Sequence, residues 1–119
     1  MRMAVRAAAI LLCVLGLVHL GVGYNAFVNP TEPRVWFAAA GFLLIVTGIA
    51  CLAAEEAPTR LNALSALAGT ISVLILGLLF GAVAPNIIRE PQSLLLIAVA
   101  AFLTVRLAGS LRRSRRRLA

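Results

Sequence analysis

The sequence predicts an all-α membrane fold, a bundle of four antiparallel transmembrane helices. Composition comes first: 62% of the 119 residues are hydrophobic and 13% charged, against roughly 45–50% and about 25% in soluble domains. The apolar residues also fall into four runs, about 7–28, 35–54, 61–84 and 93–111. Each is close to the ~20 residues that a helix needs to cross ~30 Å of hydrocarbon. Finally, the connections are short, which sets consecutive helices side by side and antiparallel. A soluble monomer is excluded, because so little polar surface cannot coat so apolar a chain. Disorder needs the opposite composition. Two Cys are too few for a disulfide scaffold. Helices are required because lipid offers the backbone no partners, and no run shows the alternation of barrel strands.

Span 1 follows Arg2 and Arg6 and is apolar for longer than a signal peptide needs. No small-residue cleavage site closes it, so it reads as a retained span. Gly16, His19 and Gly23 share one face of this helix by the i, i+3, i+4 rule. Small residues beside a polar one describe a helix contact face. Glu32-Pro33 opens span 2 and Glu90-Pro91 opens span 4. Proline suits a first helical turn, and an acid beside it favours the positive end of the helix dipole. Pro58-Thr59 serves span 3 in the same way. The matching Glu-Pro pairs, with Leu15-Gly16-Leu17 beside Leu76-Gly77-Leu78, fit either a duplicated hairpin or two independent caps. Span 3 carries the stripe Ser65, Gly69, Gly77 and Gly81, of which Gly77 to Gly81 is a GxxxG suited to close packing within the bundle or between copies. Thr47, Thr70, Ser72 and Thr104 are expected to bond carbonyls of their own helices. Span 4 runs into an Arg-rich tail at 112–119, with Arg106 placed to snorkel.

The charge is directional. All eleven basic residues are Arg and all four acids are Glu, for a formal +7. With four spans, nine Arg lie on the side of the termini and of the 55–60 loop; Arg34 and Arg89 alone lie opposite. The positive-inside rule then places both termini in the cytoplasm. Tyr24, Phe27, Trp36 and Phe37 gather at the first outer loop, as interfacial aromatics do. The exclusive use of Arg over Lys, with abundant Ala, points to a GC-rich genome and hence a bacterial inner membrane. Arg112, Arg113, Arg115, Arg116 and Arg117 suit anionic lipid headgroups, each at about 1 kcal/mol. The tail has no aromatic stacking platform, so no nucleic-acid partner is expected.

Candidate chemistry is sparse. His19 is the only His and the one titratable imidazole at membrane depth, which makes it a functional candidate. It stands beside the outer-loop residues Tyr24, Asn25, Glu32, Arg34, Trp36, Arg89 and Glu90, and pairs Glu32–Arg89 or Arg34–Glu90 would close that end of the bundle. No metal or other cofactor is expected, since one His has no second ligand of its kind. Cys13 and Cys51 are expected to be free. Glu55 and Glu56 end span 2 beside water, with Arg60 or an N-terminal Arg to offset them.

The stretch Leu17-Val18-His19-Leu20-Gly21, with Ala40-Gly41-Phe42 and Thr47-Gly48-Ile49, resembles the small four-helix bacterial membrane proteins grouped as DoxX-like. Trp36-Phe37-Ala38-Ala39-Ala40-Gly41 is similar to a class of short bacterial membrane proteins without an assigned activity. The first resemblance implies a four-helix fold with a polar, His-bearing first span; the acid that family carries in span 2 has no counterpart here. Small multidrug transporters match in size, but they carry a Glu in span 1 that this chain lacks.

Three functions compete: a non-catalytic accessory or interaction subunit, a small oligomeric transporter or channel with His19 in its path, and an enzyme or redox subunit acting at the outer face. The scarcity of ionisable groups in the spans favours the first, with a membrane partner or a second copy as its associate. The orientation is testable by itself: a reporter active only in the periplasm and fused at Ala119 should stay silent, and activity there would reverse the assignment.

Overall fold

A computed structural model describes residues 2–26, 32–83, 86 and 91–118, with backbone alone at 26, 32 and 114–118. Four helices follow in order: α1 (Arg2–Ala26), α2 (Glu32–Glu56), α3 (Arg60–Val83) and α4 (Pro91–Leu118). Each contains a stretch long and apolar enough to cross a membrane. The chain is therefore an integral, multi-pass, all-α membrane protein, and its four helices form an elongated bundle of 54 × 25 × 23 Å. At about 1.5 Å per residue, 25 residues reach ~37 Å, longer than the hydrocarbon layer. α2 and α4 outrun their apolar runs at both ends, and α1 at its start. α1 begins at Arg2 and α4 continues to Leu118, so the Arg-rich tail is helical almost throughout. Arg is a good helix former, and cations suit a helix C-terminus.

The α2–α3 turn is fixed by two side chains. Thr59 Oγ1 accepts the Asn62 N–H at 3.1 Å and so caps α3. Asn62 Nδ2 donates back to the Ala57 carbonyl at 2.8 Å, closing the end of α2. Arg6 pairs with Glu56 at 2.5 Å across the same end of the bundle. This is the offset expected from an N-terminal Arg, and both partners are exposed.

Packing is tightest between α1 and α2, because both backbones are bare where they meet. A Cβ on Gly16 would lie 2.7 Å from the Gly41 carbonyl oxygen and from Ile45 Cγ1. A Cβ on Gly48 would lie 2.7 Å from the Ala9 carbonyl oxygen, and one on Gly23 would lie 2.9 Å from Phe37 Cβ. The stripe on α3 divides its contacts: Gly69 faces Thr47 of α2 and Gly77 faces Ile97 of α4. Gly77 thus serves the bundle, Gly81 is half-buried, and Ser65 is exposed.

The core lies mainly toward the termini. Among the described side chains of α1 the buried hydrophobic residues are Val5, Ala9 and Leu12, and none follows Gly16. Leu44, Cys51 and Ala54 of α2, Ala66 and Val73 of α3, and Leu96 to Leu107 of α4 complete it. Cys13 and Cys51 are free. Thr70, Ser72 and Thr104 bond carbonyls of their own helices, as expected. Thr47 does not: its hydroxyl is buried with no partner. Pressed against Gly69, it is placed by the interhelical contact instead of by a bond to its own backbone.

The two kinds of glycine predict opposite outcomes. Gly16→Ala should lower stability in micelles by about 1–3 kcal/mol, since the added methyl meets backbone. Gly21→Ala, where nothing lies within 4 Å, should leave stability unchanged or raise it by up to about 1 kcal/mol. Equal thermal shifts for the two variants would contradict this packing.

Candidate functional site

A cavity of about 310 Å³ occupies the half of the bundle away from the termini and draws its walls from all four helices. Its position follows from the core. Where buried residues stop along α1, the helices are not filled in between, and α1 and α4 touch least of the neighbouring helices. Leu15 and Val18 contribute from α1, Ala40 and Leu44 from α2, Leu76 and Phe80 from α3, and Leu96 from α4. Among the described residues the polar lining is short: His19, Trp36, Gln92 and Ser93. The volume is near the lower end of ligand pockets, ~300–1,000 Å³, and the pattern of apolar walls with a few polar groups is the usual one for them.

His19 is half-buried. Its ring stacks on Phe37 with centroids 5.1 Å apart and planes 20° from parallel. The stack is a consequence of the glycine seam: Gly23 brings α1 onto Phe37 one turn away. The imidazole is thereby held by an aromatic face, with its plane fixed at the cavity wall.

The structure divides the polar cluster expected from the sequence. His19 and Trp36 do line one cavity, although Trp36 remains 64% exposed. Tyr24 and Arg34 form a separate contact, with the guanidinium 5.1 Å from the ring centroid, a cation–π arrangement. Asn25 turns back on its own helix and donates to the Gly21 carbonyl at 2.8 Å. Arg89, Glu90 and the side chain of Glu32 lie outside the described residues, and with them the two expected ion pairs. Gln92, Ser93, Phe37 and Phe80 were missed as cavity residues. For Gln92 and Ser93 a signal exists: they are the polar residues that directly follow Pro91 at the start of α4, and a helix start at that end faces the His19 level.

Among the described residues, His19 is the only titratable one lining the cavity. Among the described residues no three His, Cys, Asp or Glu converge as metal ligands would. The arrangement suits shape-selective binding of an apolar body with one hydrogen-bonding group. No protein-family model, curated protein or solved structure matches this chain.

The stack has a measurable worth. His19→Ala should cost about 0.5–1.5 kcal/mol of stability through loss of the ring pair, whereas His19→Phe should keep most of it. Unfolding titrations in mixed micelles read both. Equal losses would show that the imidazole nitrogens, not the ring face, hold the contact.

Proposed function

We propose that this chain is a bacterial inner-membrane protein with both termini in the cytoplasm, and that it works as a non-catalytic interaction subunit which accepts an apolar membrane ligand or partner segment between its helices. The carrying observation is the unfilled half of the bundle. Empty apolar space forfeits the dispersion contacts that a packed core supplies, and 310 Å³ lined by Leu, Val, Ala and aromatic side chains is well suited to a hydrocarbon chain or an inserted side chain. On this reading the occupant enters from the bilayer between α1 and α4, the neighbouring helices that touch least. His19, Gln92 and Ser93 would orient the polar end of the occupant. The nine-to-two distribution of Arg supports the orientation, and the exclusive use of Arg supports the bacterial origin. Kinship with the DoxX-like proteins belongs to this proposal, as do headgroup contacts by Arg112, Arg113, Arg115, Arg116 and Arg117 and association with a second copy or a membrane partner.

A second reading is favoured by the position of His19 on the cavity wall: a small oligomeric transporter in which the imidazole lies on the path. One pair of measurements separates the two. A photo-crosslinking residue in place of Val18, in native membranes, should yield a discrete adduct with a lipid or a protein. Purified protein in liposomes should give no solute flux. Flux that depends on pH and is lost in His19→Ala would establish the transporter and end the first reading.

A further inference from the structure

A second pocket, of about 480 Å³, lies at the termini end of the bundle, away from His19. Arg2 and Val5 of α1, Glu55 of α2, and Arg106, Leu107, Ser110 and Arg113 of α4 line it. The α4 residues are not a random sample of a basic tail. Positions 106, 110 and 113 follow i, i+4, i+7, so they form one face of the helix. Arg106 and Arg113 stand two turns apart, about 10 Å along the axis, with Ser110 between them. Arg112 is off this face and does not line the pocket.

Among the described residues three cations meet one anion there, and Glu55 does not neutralise them: the ion pair described at this end is Arg6–Glu56, and Glu55 forms none with Arg2, Arg106 or Arg113. Arg106 is half-buried, and its Nε is shielded from solvent with no hydrogen-bond partner. A buried donor on a permanent charge is costly when left unpaired. Partly embedded, multiply cationic and short of one acceptor, the pocket is complementary to a doubly bonding anion. The planar guanidinium fork matches phosphate oxygens, and basic pockets between transmembrane helices on the cytoplasmic side, where the proposed orientation puts this one, hold lipid headgroups.

We propose that Arg2, Arg106, Ser110 and Arg113 form an interhelical site for a phosphate-type anion, the chemistry shared by anionic lipid headgroups and free phosphates. The site is independent of the outer-half cavity, and either proposal can fail without the other. Glu55 opposes the anion and weakens its binding.

Native mass spectrometry of the protein released from membranes containing equal phosphatidylglycerol and phosphatidylcholine tests this. Retention of phosphatidylglycerol is expected, falling about tenfold in Arg106→Gln. Arg60→Gln, the same loss of charge at the same end of the bundle but outside the pocket, should leave retention unchanged. Glu55→Gln should raise it, and this variant carries the test if Arg106→Gln does not fold. Inorganic phosphate then identifies the source: displacement of the lipid assigns the site to free phosphates as well, and persistence assigns it to the headgroup, both in keeping with the proposal. Equal retention of the two lipids, equal losses in Arg60→Gln and Arg106→Gln, or no gain in Glu55→Gln would each overturn it.

Discussion

The close approach of α1 to α2 determines most of what else is present. In hydrocarbon, leucines gain little by meeting each other, since lipid tails are equally apolar; helices associate through dense van der Waals contact. That contact is greatest where no side chain separates the backbones. Gly16 against Gly41, and Gly48 against Ala9, achieve this at two levels of one hairpin. The spacing is seven residues on both helices: Ala9, Gly16 and Gly23 on α1, and Gly41 and Gly48 on α2. A seven-residue repeat keeps one seam aligned when two helices wrap in a left-handed sense.

Two consequences follow from this seam. The first is that His19, which shares a face with Gly16 and Gly23, is carried onto Phe37 and held there. The second is that α1 is committed to α2 and touches α4 only slightly. Toward the termini, Val5, Ala9 and Leu12 are buried in one cluster with residues of α4, and the interior is packed up to the basic pocket at its end. Farther along, the glycines of α1 face α2, and the space between the helices, walled on the α1 side by Leu15, Val18 and His19, becomes the cavity. The filled half also contains the unpartnered hydroxyl of Thr47, positioned by contact with Gly69. The bundle is therefore packed through its middle, with the His19 cavity on one side of that packing and the basic pocket at the termini end.

How much of this was legible follows from which forces are local. Four spans were readable because length and polarity answer to the bilayer, not to neighbours. The contact face of Gly16, His19 and Gly23 was readable because helical periodicity alone places it. The ends were less so: charged turns at Arg2 and beyond 111 read as flanks, yet they remain helical. Attention to the four-residue spacing of Gly77 and Gly81 drew notice to α3, whereas the tighter seam uses the seven-residue spacing of Gly41 and Gly48. The candidate site was partly legible for a similar reason. His19 and Trp36 were singled out by residue type, but Gln92 and Ser93 join them only through the packing of α4. Conversely, Tyr24, Arg34 and Asn25 are near His19 in sequence or span order, yet they find partners of their own.

The same seven-residue register links the two ends of the molecule. Extended toward the termini, the α1 series Gly23, Gly16, Ala9 arrives at Arg2, and the α2 series Gly41, Gly48 arrives at Glu55. Both of these residues line the basic pocket. On α4, Val99 is buried in the core, and the next two positions seven residues on are Arg106 and Arg113. α1, α2 and α4 thus each carry one continuous face, small or apolar along the bundle and charged where it reaches the basic pocket. Glycine brings α1 and α2 close enough that their charged ends must share one pocket with α4. The ionic chemistry at the termini end and the imidazole at the other are therefore positioned by a single seam. A substitution that parts α1 from α2 at Gly16 acts on both, although it touches neither.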